Sequence, residues 1–485
     1  VIWSLLAGAA LAGDANVGGY FRIPARPDLQ GGSGRLGYWN LYGRLMNEGA
    51  YGMLELRYDL IDRDPQSLRP WSAVYVRLEG GSIANADPLN GSMTAYRISQ
   101  MYVRSGNVLL KDVTWQVGTQ EFFFGDLGLY DFRPSTLMFR TVGVSGRYDR
   151  GPFELLVGGG DNGFGVYGTR YSPIPTAAAA ARLRLVPGHL ELGGGFEGRF
   201  EPAVTGSLNA PYQTPRIDYE DWIRGEVGER FVAENGEQQA PFFPDPVARD
   251  ATSWAAIGML GFGQAGPIVW NNLFVRYERL HPEKTSQDSL LGAPLTLHVH
   301  DFTDQRTVFT AGDELQLRLV KKRLDAVVGG YFGDHRDRDN DIAPSDHDRT
   351  YWSQVTRLQA YVSPTVHLLV ENAVAEEWSR NGNAYREHAD SIFANTDGRP
   401  DVRGLERGDS DTRFTWQGKG GVVLNPLGPG IFVRPSLRFL YGVQYSSQNN
   451  AFGNAFVETV DQENAFGNVE RHYHHLLSIE TETWF

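Results

Sequence analysis

The chain has 485 residues, no cysteine, 57 glycines, 12% aromatic residues and a formal net charge of -13 with a pI near 5.4. Without cysteine there is no disulfide framework and no thiolate metal site, and the acidic balance argues against nucleic acid, whose phosphates want a basic surface. The length admits several ordinary soluble domains or one large closed sheet.

The first stretch, VIWSLLAGAALA, is apolar up to Ala12 and turns polar at Gly13 and Asp14. It is too short to cross a bilayer of roughly 30 Å as a helix. It reads as the remnant of a secretory signal over residues 1–12, cleaved near Ala12, which leaves 13–485 as a single unit. No other stretch reaches the apolar length of a membrane helix.

From there the chain alternates with period 2, as strands do when successive side chains point to opposite faces. In AYGMLELRYDL, Ala50, Gly52, Leu54, Leu56, Tyr58 and Leu60 share one face, opposite Tyr51, Met53, Glu55, Arg57 and Asp59. Strands are expected at 17–24, 50–60, 71–80, 95–105, 112–121, 138–149, 152–161, 178–187 and 189–200. A second series follows at 252–263, 267–279, 310–321, 323–334, 351–363, 364–378, 411–424, 430–445 and 472–485. Each of these roughly eighteen segments is close to the length a tilted membrane strand needs. Although AAAAARLRL at 177–185 could start a helix, its alternating arginines favour a strand.

Short connections (Arg150-Gly151, the Lys321-Lys322 corner, Ser363-Pro364, NPLGPG at 425–430) alternate with long polar ones at 25–49, 81–94, 122–137, 162–177, 201–251, 280–309, 335–350, 379–410 and 446–471. An even number of strands with short turns on one side and long loops on the other describes an all-β, antiparallel transmembrane barrel of the Gram-negative outer membrane. Both termini then fall on the short-turn, periplasmic side, and the long loops are extracellular. The final LLSIETETWF supports this reading, with Leu477, Ile479 and Phe485 toward lipid. In GIFVRPSLRFLYGV, 430–443, one parity (Ile431, Val433, Pro435, Leu437, Phe439, Tyr441, Val443) is expected in hydrocarbon. The other carries Arg434 and Arg438 into a wet lumen.

The lumenal parity carries charged residues that can hydrogen-bond hydroxyls in pairs (Glu55, Arg57, Arg97, Arg434, Arg438, Glu480, Glu482). It also carries aromatics that can stack on a pyranose (Tyr20, Tyr51, Phe432, Trp484). Both kinds suit weak, repeated contact with a sugar chain in transit, although any one aromatic is more often barrel filling. The acidic stretch DHRDRDNDIAPSDHDR at 334–349 reads as a solvated loop rather than a calcium site. His472 and His474 lack a third metal ligand nearby. No phosphate loop or nucleophile elbow is present, so no cofactor and no catalytic residue is expected.

Motifs from both ends of the chain resemble the maltoporins and related sugar-specific porins. GGYFR at 18–22 is similar to that family's first strand, which implies a stacking role for Tyr20 and a polar-track role for Arg22. RLMNEGAY followed by LEL resembles the second-strand region and implies Arg44, Tyr51 and Glu55, with Met53 competing for the aromatic position. DPLNGSMTAYR places a track arginine at Arg97. FGDLGLYDFRP, 124–134, is similar to the third loop that folds into the channel over about 122–137, and implies Asp126, Asp131 and Phe132. Arg133 stands where that family has a tyrosine and Phe124 where it has an arginine, departures that could admit an anionic sugar. ERGDSD at 406–411 and GIFVRPSLR resemble the last loop and a late strand, which implies Phe432 and, with the penultimate residue, Trp484 as further stacking positions.

The resemblance implies a homotrimer of eighteen-stranded barrels in outer-membrane lipid, passing oligosaccharides of the maltodextrin or sucrose type by diffusion. The alternatives are a general diffusion porin and a barrel enzyme or adhesin.

Overall fold

The computed structural model describes residues 14–27, 36, 39–63, 68–81, 96–162, 174–201, 251–280, 306–337, 349–379, 412–447 and 472–485. In chain order the strands are β1 (Ala15–Ala25), β2 (Tyr51–Ile61), β3 (Trp71–Gly81), β4 (Tyr96–Gly106), β5 (Val113–Phe122), β6 (Leu137–Arg150), β7 (Phe153–Asp161), β8 (Pro175–Val186) and β9 (Leu190–Glu201). They continue as β10 (Ala251–Ala265), β11 (Ile268–Leu280), β12 (Arg306–Val320), β13 (Leu324–Asp337), β14 (Arg349–Tyr361), β15 (Val366–Ser379), β16 (Thr412–Leu424), β17 (Ser436–Ser446) and β18 (Tyr473–Trp484). A single helical turn, α1 (Trp39–Tyr42), lies between β1 and β2.

Every strand pairs antiparallel with its neighbours in sequence, and β1 pairs with β18, so the sheet closes on itself with eighteen strands. Closure leaves no unpaired edge, the condition for backbone to lie in hydrocarbon. At the seam, the Gly19 and Phe485 backbones each donate an N–H to the other's carbonyl, at 3.0 and 3.1 Å.

The two faces answer to different surroundings. On β18, His474, Leu476, Ser478, Glu480 and Glu482 are buried toward the lumen, while Tyr473, Leu477 and Ile479, and Phe485 just beyond the strand, are exposed on the outside. The same alternation sets Val74, Val76 and Leu78 of β3 outward against Tyr75, Arg77 and Glu79 inward. AAAAARLRL lies within β8, as its alternation predicts.

One expected strand begins late. β17 starts at Ser436, and residues 430–435 form part of the connection from β16 instead. Gly428 and Gly430 take φ of 106° and 152°, a conformation that turns the chain and that side-chain-bearing residues avoid, and Pro435 has no N–H to offer a ladder. The segment therefore bends inward. Ile431, expected in lipid, is buried in the lumenal apolar cluster, and Phe432 packs against that cluster. The expectations for residues 1–12 and for 406–411 lie outside the described residues.

Candidate functional site: a lumen narrowed by two inward segments

Residues 123–136, between β5 and β6, cross the lumen and fasten to the far wall. Asn272 on β11 donates to the Asp126 carbonyl at 3.3 Å. The Leu129 N–H donates to Glu314 on β12 at 2.7 Å, and the Tyr130 hydroxyl donates to the Gly329 carbonyl on β13 at 3.3 Å. On the return, the Arg276 guanidinium holds the Thr136 carbonyl at 2.6 Å. Between these anchors Leu127, Leu129 and Tyr130 are fully buried. The wall makes room for them with glycine: a Cβ at Gly312 would lie 2.5 Å from Leu127, and one at Gly329 would lie 2.9 Å from the Tyr130 ring.

A second segment, residues 41–50, enters from the β1–β2 connection. Its Arg44 N–H donates to the Leu129 carbonyl at 2.8 Å, which joins it to the first. Lys419 on β16 donates to the Tyr42 carbonyl at 2.9 Å, and Asn47 donates to Gln417 at 3.0 Å. With this filling in place most lumenal side chains of β14–β18 are buried, whereas Tyr20, Tyr51, Met53, Glu55, Arg77 and Glu79 along β1–β3 keep partial exposure. The open passage therefore runs along the wall that begins the chain.

On that wall three aromatic rings stand in a row. The Tyr51 and Tyr20 ring centroids are 5.8 Å apart, and Tyr20 and Trp484 are 5.9 Å apart. Register explains the row, since Tyr20 is directly opposite Trp484 on β18 while Tyr51 is opposite Arg22, one lumenal position further along β1. Phe432 and Phe132 lie elsewhere. Phe432 is 3.1 Å from the Cβ position of Gly128 and supports the crossing segment from the short-turn side. Phe132 packs edge-on to Tyr331, centroids 5.4 Å apart.

Behind the row is a charge network. Arg22 pairs with Glu48 and lies 3.6 Å from Asp131; Arg44 pairs with Glu482 and reaches the Tyr20 hydroxyl at 3.1 Å. Glu482 also takes Arg434 at 2.6 Å and Arg438. Arg22 and Arg434, at 2% and 3% exposure, are enclosed by their partners rather than open to the passage. Arg434 lies over the Trp484 ring at 5.7 Å, so the indole has one face on a cation.

Glu48 and Asp131, which belong to the two inward segments, are neighbouring buried carboxyls that influence each other's ionisation. Burial pushes the Glu48 carboxyl up to about 8, while Arg44 and Arg22 outweigh burial at Asp131 and hold it below its ordinary value. Burial also raises Asp126.

Along the same wall, Glu55 pairs with Arg77 at 2.8 Å, and Arg133 pairs with Glu121 at 2.9 Å. Arg133 lies 4.2 Å from the centre of the Phe123 ring. Arg97 is exposed and opposite Glu79 in the ladder. Sequence reasoning missed Glu48, Arg77 and Glu121. The lumenal parity of Arg77 opposite Glu55, and the spacing of Glu48 four residues after Arg44, were the available signals.

A closed antiparallel wall with an apolar outside and a polar, loop-narrowed inside defines a β-barrel of the outer membrane of Gram-negative bacteria, with the architecture of a channel. No protein-family model and no curated protein matches the chain. Among solved structures the chain is similar to the outer membrane channel DcaP of Acinetobacter baumannii, at a TM-score of 0.41 and 11% identity over 98% of this chain and 97% of that one. It is also similar to OprD of Pseudomonas aeruginosa, at 0.41 and 9% over 97% and 95%, and to OmpT of Vibrio cholerae, at 0.38 and 9% over 98% and 99%. Likeness at this level says nothing of the permeant.

Proposed function

We propose that the protein is a passive porin selective for oligosaccharides of the maltodextrin or sucrose type. The observation that carries this reading is the Tyr51–Tyr20–Trp484 row on the open wall. Neighbouring rings 5.8 and 5.9 Å apart, tilted 49° and 36° to one another, offer successive apolar faces and edges, and the carboxylate–guanidinium pairs beside them, Glu55–Arg77 and Glu121–Arg133, offer donors and acceptors to hydroxyls. Each contact is weak and replaceable, which lets a sugar chain enter and leave. Transport is diffusion down a gradient, without chemistry or cofactor, and the working assembly is a homotrimer. The enclosed Arg22, Arg44 and Arg434 act by fixing the Tyr20 and Trp484 rings in place.

The test is saturable block of ion current by maltoheptaose in planar bilayers. Trp484→Ala, which shortens the row, should weaken block by roughly ten-fold, as expected for the loss of about 1–1.5 kcal/mol of ring contact, with open conductance nearly unchanged. Block that is absent in the wild type, or equal in the variant, overturns the sugar reading and leaves a general diffusion porin. Chemical cross-linking in detergent checks the trimer.

A further inference from the structure

A cavity of about 370 Å³ opens in the wall at the short-turn end, on the far side of the crossing segment from the long connections. It is lined by Arg63, Trp71, Tyr75, Arg104, Gln116 and Ser145, among others, none of which belongs to the aromatic row. Its size is that of a small-molecule site.

The charges around it are unevenly satisfied. Each of its carboxylates already has an arginine: Asp112 has Arg150 at 2.9 Å, Glu121 has Arg133 at 2.9 Å, and Asp149 has Arg184 at 2.9 Å. Arg147 is matched by Glu154 at 2.5 Å. Arg63 and Arg104 have no carboxylate within 4.0 Å among the described residues. Arg104 is nevertheless held rigidly. Its guanidinium lies over the Tyr102 and Tyr75 rings, at 4.8 and 5.3 Å from their centres, and those rings are themselves stacked at 4.9 Å.

The Arg104 Nε is committed to the Gln116 side-chain carbonyl at 2.8 Å, and its Nη groups make no hydrogen bond among the described residues. A planar fork fixed by stacking, with its outer edge unused, has the geometry that accepts a carboxylate. Arg63 lies over the Trp71 indole at 5.1 Å. That indole lies flat on the wall because its neighbour is Gly106, where a Cβ would come within 2.0 Å of the ring nitrogen.

We infer that this cavity is a binding site for a monosaccharide carboxylate, a hexuronate-like sugar acid, distinct from the aromatic row and at the short-turn end of the same passage. The carboxylate takes the Arg104 fork with Arg63 at the rim, and the sugar hydroxyls donate to the Asp112, Glu121 and Asp149 carboxylates that border the cavity. Because three carboxylates also border the cavity, it suits a single negative charge better than a phosphate dianion. The transit role of the site rests on the porin reading; the binding itself does not.

The test uses the full-length wild-type chain in detergent, titrated calorimetrically with sodium glucuronate, glucose and acetate, with maltoheptaose current block measured in parallel. Saturable glucuronate binding is expected, tighter than either glucose or acetate. Arg104→Gln should weaken it about ten-fold or more, the scale of one lost charge-assisted pair, and Arg63→Gln, at the exposed rim, should weaken it less. Maltoheptaose block should be unaffected in both variants, which also shows that they fold. Glucuronate that does not bind, that binds no better than glucose or acetate, or that binds equally to wild type and both variants overturns the inference. Loss of maltoheptaose block with glucuronate binding intact overturns the aromatic-row reading alone.

Discussion

The residue with the most to reveal about the passage is Glu48. It is buried, its carboxyl is raised to about 8, and it neighbours Asp131 across the contact between the two inward segments. A carboxyl raised in the folded state contributes stability in full below its ordinary value of 4.5. That contribution is lost as the pH climbs through about 8, where Glu48 ionises beside the already charged Asp131. The contact should therefore loosen between pH 7 and 9, seen as increased current noise at constant ionic strength, and Glu48→Gln should flatten that dependence. A variant as pH-sensitive as the wild type would exclude the ionisation of Glu48 as its source. Parity alone puts Arg22 and Glu482 on the wet side of the wall. What covers them could not be read from it, because Arg44 meets Glu482 only after the chain has travelled around the whole barrel.

At the scale of the element, the crossing segment depends on places in the wall where the side chain is missing. Gly329→Leu would drive a side chain into the Tyr130 ring and Leu129, whose nearest atoms lie 2.9 and 3.2 Å from the Cβ position. Overpacking of this kind costs about 1–3 kcal/mol. The segment should detach from β13, raising single-channel conductance and lowering the melting temperature; unchanged conductance would show that it does not set the bore.

The eighteen strands were legible because each must satisfy lipid and lumen at once, a demand that writes a period of 2 into the sequence. The stretch 430–435 was not. Its residues also alternate, but they line a turn that enters the lumen, where Ile431 finds apolar partners without touching lipid. The entry of residues 41–50 left no periodic trace either, since it is held by scattered backbone groups of Tyr42 and Arg44 and by single side chains, Arg44, Asn47 and Glu48, whose partners lie on distant strands and the other inward segment.

For the molecule as a whole, stability rests on the contrast between the two sides of one sheet. Val76, in the middle of β3 and facing outward, tests this contrast. Val76→Lys should cost about 2–4 kcal/mol if it lies near the bilayer midplane, measured by refolding into lipid vesicles. A cost near zero would mean that this face meets protein or water instead of lipid.

The seam has a bearing on when the protein becomes functional. Tyr20 is on the first strand and Trp484 on the last, held side by side only by the β1–β18 ladder. Tyr20 and Tyr51 already meet through the β1–β2 ladder, so Trp484 is the ring that joins the row only when the cylinder zips shut. A probe of the Tyr20–Trp484 contact is consequently a reporter of completed assembly, blind to every open intermediate however much sheet it contains.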